Sequence, residues 1–368
     1  MSRNFISKIK RLDWLLTAFV FILIGIGLLS LYSTSIGLGD FLNFRKQIVF
    51  SIIGFVLLMI FSFFDWRVLR EDPYLILALY FFCLLALLGL LLFVSPIRGI
   101  KSWYRIGPVS LDPIEFTKII LIIILAKYFS LRHIEMYHTK HIILSGLYVF
   151  LPAVLIFLQP NLGSSLTLVT VWIGILVISG IKLQHFLALC LCGILAMALG
   201  WSFLLKDYQK QRIVSFINPQ VDPQGISWNI NQAKIAIGSG GIFGQGIGKG
   251  LQTQYGFLPA SQTDFIFAAI AEEMGFFGVM ALLFLFGLVV LRIFQIAFKA
   301  ETNFQRLFAS GLAILLASQI FINIGMNLGL LPIIGIPLPF VSYGGSGLIS
   351  LCIGLGILQS IRSSFSVA

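Results

Sequence analysis

The chain has 368 residues, 58% of them hydrophobic and 11% charged, with a mean hydropathy of +1.00. A soluble domain carries about 25% charged residues, so the composition excludes a water-soluble globule and predicts an all-α, polytopic integral membrane protein. The formal charge of +11 then reads as basic loops facing the cytoplasm and anionic lipid; no nucleic-acid partner is expected.

Taken in chain order, ten apolar runs approach the roughly 20 residues that a bilayer crossing needs. They cover 13–33, 46–64, 74–94, 113–130, 142–159, 164–180, 186–205, 265–291, 305–326 and 339–361. The basic start "MSRNFISKIKRLDWLLTAF" leads into a full-length span with no small-x-small cleavage site, which predicts a retained first helix. An even number of spans puts both termini on one side. The terminal and loop segments on that side collect Arg3, Lys8, Lys10, Arg11, Arg67, Arg70, Lys127, Arg132, Lys140, Lys182, Arg292, Lys299, Arg306 and Arg362, whereas the short loops opposite hold only Arg45, Lys46, Arg98, Lys101 and Arg105. That asymmetry predicts cytoplasmic termini in the cytoplasmic (inner) membrane.

No Pro/Ser linker divides the chain, so residues 1–368 read as a single transmembrane domain. Its main departure from a plain bundle is a large extracytoplasmic loop, 206–263, between helices 7 and 8. Loops this long are functional or disordered, and this one holds an amphipathic piece followed by "GSGGIFGQGIGKG". The glycine run lacks the P-loop spacing: Phe243 stands where a glycine is required and Gly250 follows Lys249. Two readings remain, a flexible loop or exposed N–H groups with Lys249 facing an anionic head group.

Asp264 lies where that loop re-enters the bundle. It reads either as a helix cap or, facing the aqueous compartment at the membrane lip, as a general base. Glu272 and Glu273 lie further in, where an unpaired charge is costly, so both are expected to face the interior and find partners. Glu115 and Lys118, three apart on one helical face, can pair or can line an outer cavity with Lys101 and Arg105. "IGIPLPFVSYGGSG" brings Ser342 and Tyr343 to the start of the last span, where irregular backbone is tolerated only beside protein or a cavity. The four cysteines, Cys83, Cys190, Cys192 and Cys352, all lie in apolar runs and read as small core hydrophobes. The histidines His133, His138, His141 and His185 fall on the side away from Asp264. No cofactor is indicated. Any metal would be held by carboxylates and phosphates, which suits Mg²⁺ or Mn²⁺.

The segments "GIKSWYRIGP", "DPIEFTK", "QPNLGSS", "QRIVSFINPQVDPQGISWNINQAKIAIGSGGIFGQGIGKG", "FLPASQTDFIFAAIAEEMGFFG" and "NIGMNLGLLPIIGIPLPFVSYGGSG" together resemble the SEDS family of shape, elongation, division and sporulation proteins. The resemblance spans nearly the whole chain. It implies ten transmembrane helices and a peptidoglycan glycosyltransferase that polymerises lipid II into β-1,4-linked strands for wall elongation and rod shape. It implies a class B penicillin-binding protein as transpeptidase partner. Asp264 matches the family's essential aspartate, and with the membrane-lip position above it is expected to act as the catalytic general base, with undecaprenyl diphosphate as leaving group. Glu115 and Lys118 match the family's acid and base. Lys101 and Arg212 match recurrent basic positions, and Arg105, Lys249, Ser342 and Tyr343 join them as substrate-binding candidates. Three departures stand out: Asp112 and Ile114 where the family has Gln and Ser, Asn161 where it has a second aspartate, and Gln262 where a histidine often precedes T-D-F. The Asn161 position is therefore expected to be structural, and a histidine relay to Asp264 is not expected. A lipid-linked precursor flippase, a scaffold for the penicillin-binding protein, and a division or sporulation role are the alternative readings. Transport would make Glu272 matter most and the outer loop dispensable.

Overall fold

A computed structural model describes residues 10–94, 102–107, 109–132, 139–204, 207–218 and 225–365. Ten helices of at least 17 residues are found among them. They are α1 (Trp14–Leu38), α2 (Leu42–Phe63), α4 (Pro73–Phe93), α5 (Pro113–Arg132), α6 (Thr139–Leu158), α7 (Leu162–Ile178), α8 (Leu183–Leu199), α12 (Ile266–Phe298), α13 (Asn303–Asn327) and α14 (Gly345–Ser363). Eight candidate spans are long and apolar enough to cross a membrane, and α7 is a shorter apolar helix. The remaining one, α5, carries Glu115 and Lys118 buried in its first turns. The smaller elements are α3 (Trp66–Glu71), the hairpin β1 (Tyr104–Ile106) and β2 (Val109–Leu111), α9 (Asp207–Ile217), α10 (Ile226–Ser239) and α11 (Leu251–Gln254). Of these, only α10 matches a sequence signal, the amphipathic piece ahead of the glycine run.

Local chemistry sets several boundaries. Asp13 caps α1 by accepting from Leu16 N, Asp72 caps α4 ahead of Pro73, and Thr302 with Gln305 forms a capping box at α13. Helix α13 is buried along most of its length and forms the centre, with α5, α7 and α12 packed on it. Helix α14 packs along α2, and small residues make the approach close: a Cβ on Gly356 would stand 2.7 Å from the Leu58 carbonyl oxygen. Helix α8 lies at the periphery, so Cys190 and Cys192 are exposed to the surroundings; only Cys83 and Cys352 are core residues as expected.

The two ends of the bundle are chemically distinct. At one end the Gln359 amide takes Asp13 N–H (2.7 Å) and donates to Asp13 O (3.0 Å), while Arg292 Nε donates to Asp13 Oδ2 at 2.7 Å. The start of α1 and the end of α14 therefore share one end, as an even number of crossings requires. His141 and His185 belong to that end. His133 and His138 lie outside the described residues. Asp264 and the glycine-rich loop occupy the opposite end.

Candidate active site at the rim of the bundle

Asp264 sits two residues before α12 and is half-buried. Phe265 holds the N-cap position and makes no side-chain cap bond. The backbone of Asp264 is fixed from α13: its carbonyl accepts from Asn323 Nδ2 (3.1 Å) and Asn327 Nδ2 (2.9 Å). Those asparagines are four apart, on one face of the helix, and both are fully buried. Asn323 also donates to Ile336 O, and Asn327 Oδ1 accepts from Ala268 N. Gly335, at φ 75°, lies beside the carboxylate: a Cβ there would stand 3.6 Å from Asp264 Oδ2.

A second set of bonds stitches the segment before Asp264 to the segment before α14. Ser342 Oγ donates to Thr263 O (2.6 Å) and accepts from Leu338 N (2.8 Å). Tyr343 N donates to Gln262 O at 2.9 Å. Gln262 Oε1 accepts from Asn43 Nδ2, and Gln47 brackets the turn through Gly344 N and Ser342 O. Each strand of this seam carries a residue in the left-handed region, Ala260 at φ 46° and Phe340 at φ 65°. Such conformations persist where the surroundings over-determine them, and they cluster at functional sites. The Ser342 hydroxyl is thus committed to backbone on both sides. The half-buried Tyr343 phenol has its pKa raised by burial, which keeps it a proton donor.

The start of α5 joins the same turn. Asp112 N donates to Ser346 Oγ at 2.9 Å, only four residues beyond Ser342. Lys118 Nζ meets Glu115 Oε1 at 2.6 Å, with both side chains buried, and Gly347 lies against Glu115. A buried ion pair of this kind holds together because each charge would be uncompensated without the other. Asp112, just outside the helix, accepts from Ile114 N. Burial, together with the neighbouring Glu115 carboxylate, pushes its pKa from 3.8 up to about 8, against the pull of the Ile114 N–H and the Lys118 ammonium. Its burial thus favours the protonated form, as an uncharged glutamine side chain would also be favoured there.

The other predicted contacts are less centred. Arg105 is exposed on β1, opposite Ser110. Arg212 lies in α9. Lys249 is exposed in the glycine-rich loop. Lys101 lies outside the described residues. Among the described residues no group of three or more His, Cys, Asp and Glu stands close enough to hold a metal ion.

The largest departure from expectation lies inside α12. The predicted span is continuous, but Gly275, at φ 66° and ψ −166°, breaks it into 266–274 and 276–298. The loop after α10 fills the break. Gln245 N and Gly246 N donate to the carbonyls of Glu272 and Glu273, and Phe276 N and Phe277 N donate to Gly241 O and Ile242 O. The orphan groups of both half-helices are satisfied in this way. Glycines are needed because backbones meet: a Cβ on Gly240, Gly244 or Gly275 would collide with main-chain atoms of the other segment. The two carboxylates anchor the same loop. Glu272 accepts from Gln252 N (2.7 Å), Thr253 N (3.0 Å) and Thr253 Oγ1 (2.6 Å). Glu273 Oε1 accepts from Ser33 Oγ, Gly248 N and Gln254 Nε2. Several of the loop's N–H groups thus serve Glu272, Glu273 and the helix break.

Asn161 is the N-cap of α7, accepting from Ser164 N and donating to Ser102 Oγ. The amide does what an aspartate would do for the cap, in keeping with a structural role. The clamp residues Asn323 and Asn327 were missed in the sequence, although their spacing inside an apolar helix, N-x-x-x-N, is a usable signal: buried amides must find partners. Asn43 and Gln47, one turn apart at the start of α2, carry the same signal.

Residues 13–366 match the family profile of the FtsW, RodA and SpoVE cell cycle proteins. Peptidoglycan glycosyltransferase MrdB of Escherichia coli is 38% identical over 285 residues, covering 77% of each chain. Stage V sporulation protein E of Bacillus subtilis is 34% identical, covering 95% of this chain and 96% of its own. Among solved structures, a chain of a peptidoglycan synthase complex that coordinates polymerization and crosslinking superposes with a TM-score of 0.81 at 30% identity, covering 95% of this chain and 97% of that one. The rod shape determining protein RodA of Thermus thermophilus gives 0.71 at 30% identity, over 95% and 96% of the two chains.

Proposed function

Since the chain belongs to the FtsW, RodA and SpoVE family of cell cycle proteins, we propose that it is a peptidoglycan glycosyltransferase whose general base is Asp264, acting on lipid II at the extracytoplasmic face. The observation that carries this reading is the rim itself. One half-exposed carboxylate is held by its backbone at the junction of two strained segments, at the end of the bundle away from the termini. A polyprenyl anchor can stay in the bilayer while its sugars reach that height.

In the proposed reaction Asp264 takes the proton of the acceptor GlcNAc 4-hydroxyl. The freed oxygen bonds to C1 of the lipid-linked MurNAc at the end of the growing strand. The C1–O bond to phosphate breaks, undecaprenyl diphosphate leaves with the electron pair, and the α-linked donor becomes a β-1,4 bond. One carboxylate is enough for this inverting transfer. No second acid need protonate a diphosphate whose charge is balanced by nearby cations. Arg105 and Lys249, both exposed, suit that balancing better than Lys118, which is paired within the fold. The anchoring of Glu272 and Glu273 to the loop weighs against a transport relay through them. Crosslinking of the strands falls to a class B penicillin-binding protein bound to this chain.

The test is polymerisation of lipid II by the purified full chain, in a preparation free of other glycosyltransferases, beside Asp264→Ala. Glycan strands from the wild type alone support the reading. A folded Asp264→Ala chain that polymerises normally, or a wild type that translocates lipid II without joining it, overturns the reading.

A further inference from the structure

A cavity of about 690 Å³ opens on the outside of the bundle between α6 and α7. Its walls are Ile143, Leu147, Phe150, Val169 and Trp172, no acidic side chain lines it among the described residues, and Lys140 stands exposed at its mouth. Gly146 lets the Trp172 ring approach α6, and the Trp172 Nε1–H is held by Ser145 Oγ at 3.0 Å. The groove is therefore shaped by a fixed ring. It plays no part in the glycosyl transfer, because α6 begins at the end of the bundle opposite Asp264.

Its dimensions say what fits. Along α6 the lining runs from Thr139 to Ala153, which at the helical rise is about 21 Å. A hydrocarbon core is about 30 Å thick, so one leaflet is about half that. The groove thus covers one leaflet's acyl region and reaches head-group level, where Lys140 sits. A partner's transmembrane helix would need a track across both leaflets. Among the described residues at the same end of the bundle, Arg67, Arg70, Lys127, Lys182, Arg292, Lys299 and Arg306 outnumber Asp13, Asp65, Glu71, Asp72 and Glu301, so the net field there attracts negative charge.

We propose that this groove binds an anionic phospholipid of the leaflet on the side away from Asp264, with an acyl chain against Trp172 and the head-group phosphate at Lys140. The proposal requires only the membrane fold and does not rest on the reaction above.

The full chain is placed in nanodiscs containing increasing fractions of dibrominated phosphatidylglycerol or dibrominated phosphatidylcholine. The Trp172 component of the fluorescence is isolated by difference with Trp172→Phe. Bromine against the ring quenches it. One lysine at the head group predicts half-quenching at roughly fivefold lower mole fraction of the phosphatidylglycerol, and Lys140→Glu removes that preference. Lys140→Gln serves the same purpose if the reversed charge prevents folding. Equal quenching by the two lipids, a preference that survives loss of Lys140, or no Trp172 quenching by either lipid overturns the proposal; the last result would mean that protein fills the groove.

Discussion

Asn327 holds Asp264 by its backbone: the side-chain amide of the first donates to the main-chain carbonyl of the second at 2.9 Å. Asn323, one turn earlier, repeats the contact at 3.1 Å. The acid's place in space is therefore set by groups that survive any change to its own side chain.

Asp264→Asn and Asp264→Ala should for this reason fold and insert like the wild type while losing polymerisation. A general base contributes about 10²–10⁴-fold, so the variants fall by at least that range in a lipid II polymerisation assay. Thermal unfolding followed by tryptophan fluorescence checks that the fold is intact.

Asn327→Ala acts from the other side of the same contact. It leaves Ala268 N–H and part of the Asp264 carbonyl without partners, at about 1–3 kcal/mol for a buried group. Activity should drop with kcat falling more than KM changes, because the base is displaced and the sugar subsites are untouched. An unchanged kcat in a stably folded variant would detach the clamp from catalysis.

Asp112 gives a pH signature. The fold holds it protonated up to about 8, whereas in the unfolded chain it ionises near 3.8. The folded state therefore binds the extra proton between those values, and stability falls as pH rises from about 4 to about 8. Asp112→Asn should flatten that part of the profile. Melting temperatures measured across the range would show the slope in the wild type and its absence in the variant.

Removing one member of the Glu115–Lys118 pair should destabilise the chain by about 3–5 kcal/mol, since the other is left as an uncompensated buried charge. The double variant Glu115→Gln/Lys118→Met should lose less than the sum of the single variants. A double-mutant cycle on unfolding free energies measures the difference.

Gly275→Ala meets two penalties. The φ and ψ at this position belong to a region essentially confined to glycine, at about 1–3 kcal/mol, and the new methyl group collides with the loop at Phe243 and Gly244. Polymerisation should be lost together with protection of the glycine loop in hydrogen exchange.

Much of this was legible in the residues. All ten long helices fall on the apolar runs predicted for them, with ends displaced by a few residues where caps intervene: α1 runs on to Leu38 and ends on left-handed Gly39, and α4 starts at Pro73 behind the Asp72 cap. The last helix begins at Gly345 rather than 339, because Pro337 and Pro339 and the seam bonds of Ser342 and Tyr343 keep the preceding segment irregular. The break at Gly275 was not legible. A lone glycine in "EEMGFFG" is common within apolar helices, and what opens the helix is a backbone some 30 residues earlier in the chain supplying its hydrogen bonds. For the same reason the glycine run left two readings open: many of its partners are main-chain groups, which leave no mark in a sequence. The Asp112 environment is legible only in part: Glu115 and Lys118 are its sequence neighbours, whereas the burial around it and the Ser346 contact are tertiary.

The broken helix also bears on biogenesis. Residues 276–298 span about 34 Å, a full crossing without help. The nine residues ahead of them, about 13 Å long, are surplus to insertion. Threading of the long half through the bilayer therefore does not depend on the rim segment, which is seated separately by main-chain bonds from the loop made earlier in synthesis.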